Sequence, residues 1–249
     1  MPVSVTIITR DEAAHIEACI ASVAWADEIL VVDSGSTDDT VSRASRLGAR
    51  VITHDWPGYG AQKNFAAEAA THDWIFSIDA DERVTPALAE AIRTRVSAAG
   101  PEAGFRVRRV TWHLGRWWRT TDWYPDHQLR LYHRRRASWR TQRVHESVVA
   151  AGPVVDLTEE LEHYAYRDLS HHMATMDRYT TLAAHDMFEA GRRAGLMDLV
   201  VHPPAAFVRN YLLRRGCLEG AAGFIVSAMN AHYVFLKFAK LWALARSPR

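Results

Sequence analysis

The chain has 249 residues, enough for one large domain, or one domain with an appendage, to bury a substantial core. A formal net charge of +1 argues against nucleic acid as a partner, and 48% hydrophobic with 24% charged residues describes a folded protein able to touch a membrane. Two cysteines, Cys19 and Cys217, lie far apart and outside any CxxC pattern, which excludes a cysteine metal or redox motif and predicts two buried thiols. The N-terminus passes directly into VSVTII without the pattern of a signal peptide, so cytoplasmic residence is expected.

The first half alternates strands and helices. Residues 3–8 read as a buried strand, and 12–23 as a helix with Ala13, Ile16, Cys19, Ile20 and Val23 at helical spacing. Strand 28–32 ends in Asp33, the turn Ser34-Gly35-Ser36 follows, and 37–47 is a second helix with Thr37 as its cap. A short strand at 50–53, an alanine-rich helix at 59–70 and a strand at 74–78 complete the series. This order predicts a parallel sheet covered on both faces, with every strand's carboxyl end on one side. Thr85 and Pro86 mark a helix start that runs to Val96.

Beyond it the alternation stops. Strands are expected at 105–110 and 128–133, a Trp-, Arg- and Gly-rich loop at 111–125, and extended backbone at 139–149, forming the second wall of a cleft. From Ser170 the chain turns helical, with further helices at 205–215 and 218–245. The domains are expected as 1–166, holding the sheet, and 167–249, a helical extension.

Asp79 and Asp81 follow the apolar strand 74–78. A strand interior does not tolerate unpaired charge, so both acids belong at its carboxyl end, facing a cleft. Two carboxylates at that spacing can hold a divalent cation, and the cation a diphosphate; the alternative is a solvated turn. Glu82 extends the cluster or acts as a local cap. Asp33 opens into the same cleft, where a carboxylate accepts hydrogen bonds from a base or ribose, unless the turn is only a connector. Thr9, Arg10, Asp11 and Glu12 close the first strand on that face, and Gln62, Lys63 and Asn64 open a helix near it. Lys63 suits a substrate phosphate or the edge of a base, or is a surface lysine.

The chain has no GxGxxG and no GxxxxGK[ST], which argues against dinucleotide oxidoreductases and P-loop phosphotransferases. It has no HExxH and no GxSxG, and adjacent His171 and His172 point in different directions on a helix, so a zinc site is not expected. Glu146 is the candidate general base, with His145 orienting it or contacting phosphate; Arg140 and Arg143 are close enough in sequence to pair with Glu146 instead. Trp112, Trp117, Trp118 and Trp123 suit carbohydrate or lipid headgroups, with single-stranded nucleic acid or simple wall packing as alternatives. The run 220–236 carries no charged side chain but is short for a membrane span, and Phe235, Phe238, Leu241 and Trp242 interleave with Lys237 and Lys240. An interfacial or dimer-forming appendage is the reading, with core packing as the alternative.

TRDE at 9–12, WADEILVVDSGSTDDT at 25–40, GYGAQKNFA at 58–66, WIFSIDADERVTPAL at 74–88 and VHESV at 144–148 resemble family 2 glycosyltransferases, and more narrowly the bacterial lipopolysaccharide core β-1,4-glucosyltransferases. The resemblance implies an α/β GT-A fold, a Rossmann-like mixed sheet with helices on both faces, and an inverting reaction without a covalent glycosyl-enzyme. It implies Thr9, Glu12 and Asp33 at the nucleotide with Lys63 nearby, Asp79 and Asp81 at the diphosphate and Mg²⁺ or Mn²⁺, and Glu146 as base. The chain departs at Asp11, where relatives often carry Asn. UDP-glucose is the implied donor, a lipid-linked inner-core saccharide the acceptor, and the cytoplasmic face of the inner membrane the location, with a homo-oligomer possible. Two other classes stay open on the residues alone: a sugar-phosphate nucleotidyltransferase, and a non-catalytic membrane-associated binding module.

Overall fold

The computed structural model describes residues 1–141 and 147–246. Its organising strand is β1, Val3–Thr9, which is buried along its whole length. A strand covered on both faces reads as a nearly continuous apolar run, and VSVTIIT meets that requirement with its small polar residues also buried. Helix α1 (Ile16–Ser22) leads to β2 (Glu28–Asp33), α2 (Thr40–Arg46) to β3 (Arg50–Thr53), and α3 (Tyr59–Ala69) to β4 (Trp74–Asp79). These four strands are parallel in the order β3-β2-β1-β4. The chain leaves β1 toward β2 on one side and later returns to its other side as β4, which opens a crevice at the carboxyl ends.

Alternation along each strand builds two cores. Val5 and Ile7 of β1 face a cluster holding Ile16 and Cys19 of α1 and Leu88, Ile92 and Val96 of α4 (Pro86–Ser97). Ile8 faces the opposite cluster, with Ala66 and Ala67 of α3. Thr85 caps α4 as expected, accepting the Leu88 amide at 3.2 Å.

The rest of the sheet is antiparallel. The short β5 (Glu82–Val84) precedes α4; β6 (Gly104–His113) continues into β7 (Arg116–Trp118), and β8 (Asp126–His133) returns between β4 and β6. β9 (Ala137–Trp139) pairs with β10 (Val148–Ala150) apart from the main sheet. β11 (Val154–His163) pairs antiparallel with β5, so that His163 lies opposite Glu82.

The structure divides into two compact units: Met1–Val110 with Asp126–Tyr164, and Thr111–Pro125 with the chain from Ala165 onward. The tryptophan-rich segment therefore groups with the helices. In that second unit, Leu114 and Gly115 form the two-residue turn between β6 and β7, both at positive φ, as a tight hairpin requires. Asp168 caps α5 (Leu169–Glu189) through the His171 amide at 2.7 Å. α6 (Leu196–Val200) and α7 (His202–Val208) follow, and α8 (Gly220–Leu244) runs along α5 and α7. No helix among the described residues is long and apolar enough to cross a membrane.

Several sequence expectations need correction. Helix 12–23 begins only at Ile16, because residues 12–15 form a turn closed on the Glu12 carbonyl. Helix 37–47 begins at Thr40, because the Thr37 amide and hydroxyl both donate to Asp11 instead of capping it. The single helix expected at 205–215 is α7 followed by a π-helical turn at Arg209–Leu213, and Arg215 at φ +61° ends it. Cys19 is buried as expected, but Cys217 is exposed, on a 3₁₀ turn at Gly216–Glu219.

Candidate active site

The register of the parallel strands assembles the first row of the site. Thr9 pairs with Asp33, and Ile8 pairs with Asp79, so three predicted residues stand at adjacent strand ends. Thr9 is buried, and its hydroxyl oxygen has no hydrogen-bond partner among the described residues. Asp33 Oδ2 accepts the Gly35 and Ser36 amides at 3.0 and 2.9 Å, a turn made possible by Gly35 at φ +81°. Glu12 stands on the neighbouring loop, where its amide donates to Thr40 Oγ1 at 2.8 Å. Asp11 holds that loop against the 34–40 turn, accepting the Thr37 amide at 2.7 Å from a left-handed backbone at φ +54°. Asn and Asp are the non-glycine residues that tolerate this conformation, so Asp11 meets the same backbone demand as the Asn that the resemblance implies.

The acids after β4 do not share one environment. Asp79 Oδ1 lies 3.0 Å from Lys63 Nζ, and Oδ2 lies 2.7 Å from an Arg130 guanidinium nitrogen. The same nitrogen lies 2.7 Å from Glu82 Oε1, and Glu82 Oε2 accepts the Asp79 amide at 2.9 Å. Arg109 bridges Glu82 at 3.4 Å and Asp126 at 2.8 Å. Three carboxylates, Asp79, Glu82 and Asp126, thus face three cations, Lys63, Arg109 and Arg130. Asp81 stands apart, with His163 Nε2 3.4 Å from its Oδ2.

Burial pushes the Asp79 carboxyl up, but Arg130 and then Lys63 outweigh it and hold it well below the usual carboxylate range. Burial also raises Asp81, yet His163 brings it below its ordinary value. Burial alone pulls Arg130 down, and Asp79 and Glu82 raise it. Both aspartates are therefore ionised at neutral pH, Asp79 in contact with two cations and Asp81 beside a histidine, with Arg109 acting on it from farther away. Cys19 lies below them, its Sγ 3.6 Å from the Asp79 carbonyl, and burial pushes this thiol up and keeps it inert.

Among the described residues, no three His, Cys, Asp or Glu side chains cluster as a ready-made metal cage. Asp81 with His163 fits a different arrangement, in which one or two protein donors hold Mg²⁺ or Mn²⁺ and substrate phosphates complete the shell. Asp79 fits it less well, because both of its oxygens already face a cation.

Helix α3 connects the parts, since each residue of Gln62-Lys63-Asn64 reaches a different element. The Gln62 amide donates to Ser34 Oγ at 2.9 Å, and its carbonyl oxygen lies 2.7 Å from His54 Nδ1. Lys63 is buried against Asp79, with the Trp139 ring 4.5 Å from its Nζ. Asn64 exchanges two hydrogen bonds with the Trp139 backbone, at 2.8 and 2.9 Å. Gly60 permits this docking, because a Cβ there would lie 1.9 Å from the Arg140 carbonyl oxygen. Gly60→Ala should therefore lower stability by about 1–3 kcal/mol, the usual range for overpacking, read as a shift of the urea midpoint at constant m.

The structure brings together Thr9, Asp33, Lys63 and Asp79, and places Asp81 beside a histidine that the sequence reading missed. Arg109 and Arg130 were missed as well. Glu146 and His145 lie outside the described residues, as does Arg143. The four tryptophans sit in the second unit. Trp118 is fully buried and donates its indole N–H to the His113 carbonyl at 2.9 Å, which is core packing, while Trp123 is partly exposed.

A sheet with its acids at the carboxyl ends, helices on both faces and a helical extension defines a GT-A-like α/β fold. The sequence profile of glycosyl transferase family 2 matches residues 4–151, and this chain belongs to that family. It is similar to the lipopolysaccharide core biosynthesis glycosyltransferase LpsC of Rhizobium meliloti (strain 1021), with 34% identity over 250 residues, covering 97% of this chain and 92% of that protein. It is also similar to an uncharacterized glycosyltransferase of Rickettsia felis, with 32% identity, covering 96% of this chain and 89% of the relative. Among solved structures, glucosyl-3-phosphoglycerate synthase from Mycobacterium tuberculosis with Mn²⁺, UDP and glucosyl-3-phosphoglycerate aligns at 29% identity and a TM-score of 0.38, over 45% of this chain and 44% of that one. The chain carries a glycosyltransferase catalytic domain, which transfers a sugar from a nucleotide-diphosphate donor to an acceptor. The nucleotidyltransferase and non-catalytic readings are set aside on that ground.

Proposed function

We propose that the protein is an inverting glucosyltransferase that adds a β-1,4-linked glucose from UDP-glucose to a lipid-linked lipopolysaccharide inner-core saccharide. The observation that carries this reading is the Asp81 carboxylate beside His163, next to the neutralised Asp79 network at the carboxyl ends of parallel strands. Similarity to LpsC over nearly the whole chain supports the class of acceptor.

Thr9, Glu12 and Asp33 hold the nucleotide in this reading, with Thr9 and Asp33 paired at the adjacent ends of β1 and β2. Asp81 and His163 hold Mg²⁺ or Mn²⁺, which would neutralise charge developing on the leaving diphosphate. Lys63 and Arg130 fix Asp79 at the rim. An acceptor hydroxyl attacks the anomeric carbon as the bond to the donor's phosphate oxygen breaks, and the bonding electrons leave with the diphosphate. The hydroxyl proton passes to the Glu146 carboxylate. Glu146→Gln should leave nucleotide affinity unchanged and lower transfer by about 10²–10⁴-fold. Titration with UDP beside a single-turnover assay checks both halves, and unchanged transfer would remove Glu146 from the role. A donor screen against purified core acceptors, read by product mass and linkage, tests the sugar and the acceptor.

The helical unit supports a place at the inner membrane's cytoplasmic face. Leu196, Met197, Leu213 and Leu218 are all at least 70% exposed, and Arg192, Arg193, Arg214 and Arg215 stand next to them in sequence. Exposed apolar side chains flanked by arginine suit the boundary of an anionic bilayer. Co-sedimentation with phosphatidylglycerol vesicles should show binding that weakens in high salt and falls about tenfold in Leu213→Ser/Leu218→Ser, about 1.4 kcal/mol. Equal recovery of both proteins in the supernatant and pellet would contradict that placement.

A further inference from the structure

The helical unit contains a cleft of about 270 Å³ that the nucleotide chemistry does not use. Trp123, Tyr166, Tyr179 and Tyr233 supply its aromatic walls, and His172 and Asn230 supply polar edges. Every one of these residues belongs to the second unit. The walls are fixed by one another. Trp123 meets Trp118 edge-on at 5.7 Å, and Tyr166 stacks on His172 at 4.0 Å. Such contacts hold flat apolar faces in place before any ligand arrives.

The polar edge is fixed too. The Asn230 side-chain amide donates to Asp122 Oδ2 at 3.1 Å, and Arg209 holds Asp122 through two nitrogens at 2.6 and 3.1 Å. With its N–H₂ directed to Asp122, Asn230 presents a carbonyl oxygen as the acceptor left for a ligand hydroxyl. His172 Nδ1 lies 3.3 Å from His113 Nε2, which leaves Nε2 as its other polar atom. Burial, reinforced by His113 and His171, pushes the His172 imidazole down to about 4, so it is neutral at physiological pH.

The lining of the cleft carries no Asp, Glu, Lys or Arg, and its one histidine is neutral. A nucleotide or sugar phosphate would find no cation there, and an acyl chain would leave the buried polar edges unmatched. The volume lies just below the range of about 300–1,000 Å³ common for ligand pockets, which suits a single ring. Flat aromatic faces against the C–H faces of a sugar, with neutral acceptors and donors for its hydroxyls, complete the match.

We propose that this cleft is a second carbohydrate subsite, which holds one neutral pyranose ring of the saccharide acceptor between Trp123 and the tyrosines. It rests on the reading of the chain as a transferase with a saccharide acceptor. Thr175 lines the cleft on α5 and is partly exposed, so a larger side chain there fills the space without entering a packed core.

The test is saturation-transfer NMR on the full chain with methyl glycosides of neutral hexoses and no nucleotide present. The wild type should show saturation of the ring protons, with affinity lowered about tenfold or more in Thr175→Trp and in Tyr233→Ala. Both variants should keep wild-type UDP affinity and circular dichroism. Absence of glycoside binding in the wild type, binding unchanged in both variants, or displacement of the glycoside by a short alkyl chain that binds in its stead would each overturn the proposal. Because no donor or turnover is involved, a protein that binds glycosides here yet transfers no glucose would overturn only the proposed function.

Discussion

Arg130→Met should destabilise the protein by about 3–5 kcal/mol, the usual cost of removing one partner from a buried ion pair. The Arg130 side chain is 3% exposed, and the Glu82 side chain it contacts is fully buried. Without the guanidinium, Glu82 keeps Arg109 at 3.4 Å and the Asp79 amide at 2.9 Å, and Lys63 is the cation left to Asp79 among the described residues. Methionine preserves most of the stem's volume, so the loss is electrostatic rather than a cavity. Urea denaturation at neutral pH measures it, and the double variant Arg130→Met/Glu82→Gln should recover part of the loss because no bare charge is then buried. The acid limb supplies a second readout. The depressed folded-state pKa of Asp79 gives stability that is fully present above its unfolded value of about 3.9 and is lost as pH falls toward the folded value. In Arg130→Met that pKa rises toward normal, so the fall of stability below about pH 4 should be shallower than in the wild type.

Asp81→Asn should lower turnover by about 10²–10³-fold, comparable to removing one electrostatic contact from a reacting centre. Asparagine keeps the shape and removes the charge. The three cations around Asp79, Glu82 and Asp126 are already matched by three carboxylates, so none of them is left facing Asp81 at ion-pair distance. In the proposed function Asp81 is the carboxylate that meets a substrate-borne cation. Some stability should be lost as well, because His163 outweighs burial and the nearby Asp79 and holds the Asp81 carboxyl below its ordinary value. His163→Ala should act in the same direction more weakly, raising the Mn²⁺ concentration needed for half-maximal rate. Metal titrations of the initial rate separate these variants from simple misfolding. A rate and metal dependence in Asp81→Asn equal to the wild type would exclude the role.

What the sequence revealed and what it concealed follow from the range of the contacts. The parallel half was legible because each strand is a short apolar run ending in a polar residue, and in parallel register such ends align. Thr9, Asp33 and Asp79 could therefore be placed in one row before any coordinates. The antiparallel half was not legible at the same level. His163 is far from Asp81 in sequence and meets it only because β11 pairs with β5. A weak signal existed: Leu157, Leu161 and His163 share the strand's period of two, which sets the histidine on the face of two buried leucines. Arg130 carried a stronger one, since an arginine flanked by Leu129 and Leu131 in a central strand implies a buried partner. The tryptophans show the converse failure. Composition suggested ligand contact for the whole group, yet Trp118 is core, and only packing could separate it from Trp123.

Calorimetric titration of UDP, with and without Mn²⁺, into the wild type and Asp81→Asn decides whether Asp81 joins the protein to the donor's phosphates through an ion. Mn²⁺ should tighten UDP binding to the wild type by about tenfold or more, roughly 1.4 kcal/mol, and leave the variant's affinity unchanged. Equal tightening in both proteins would show that the phosphates are held elsewhere.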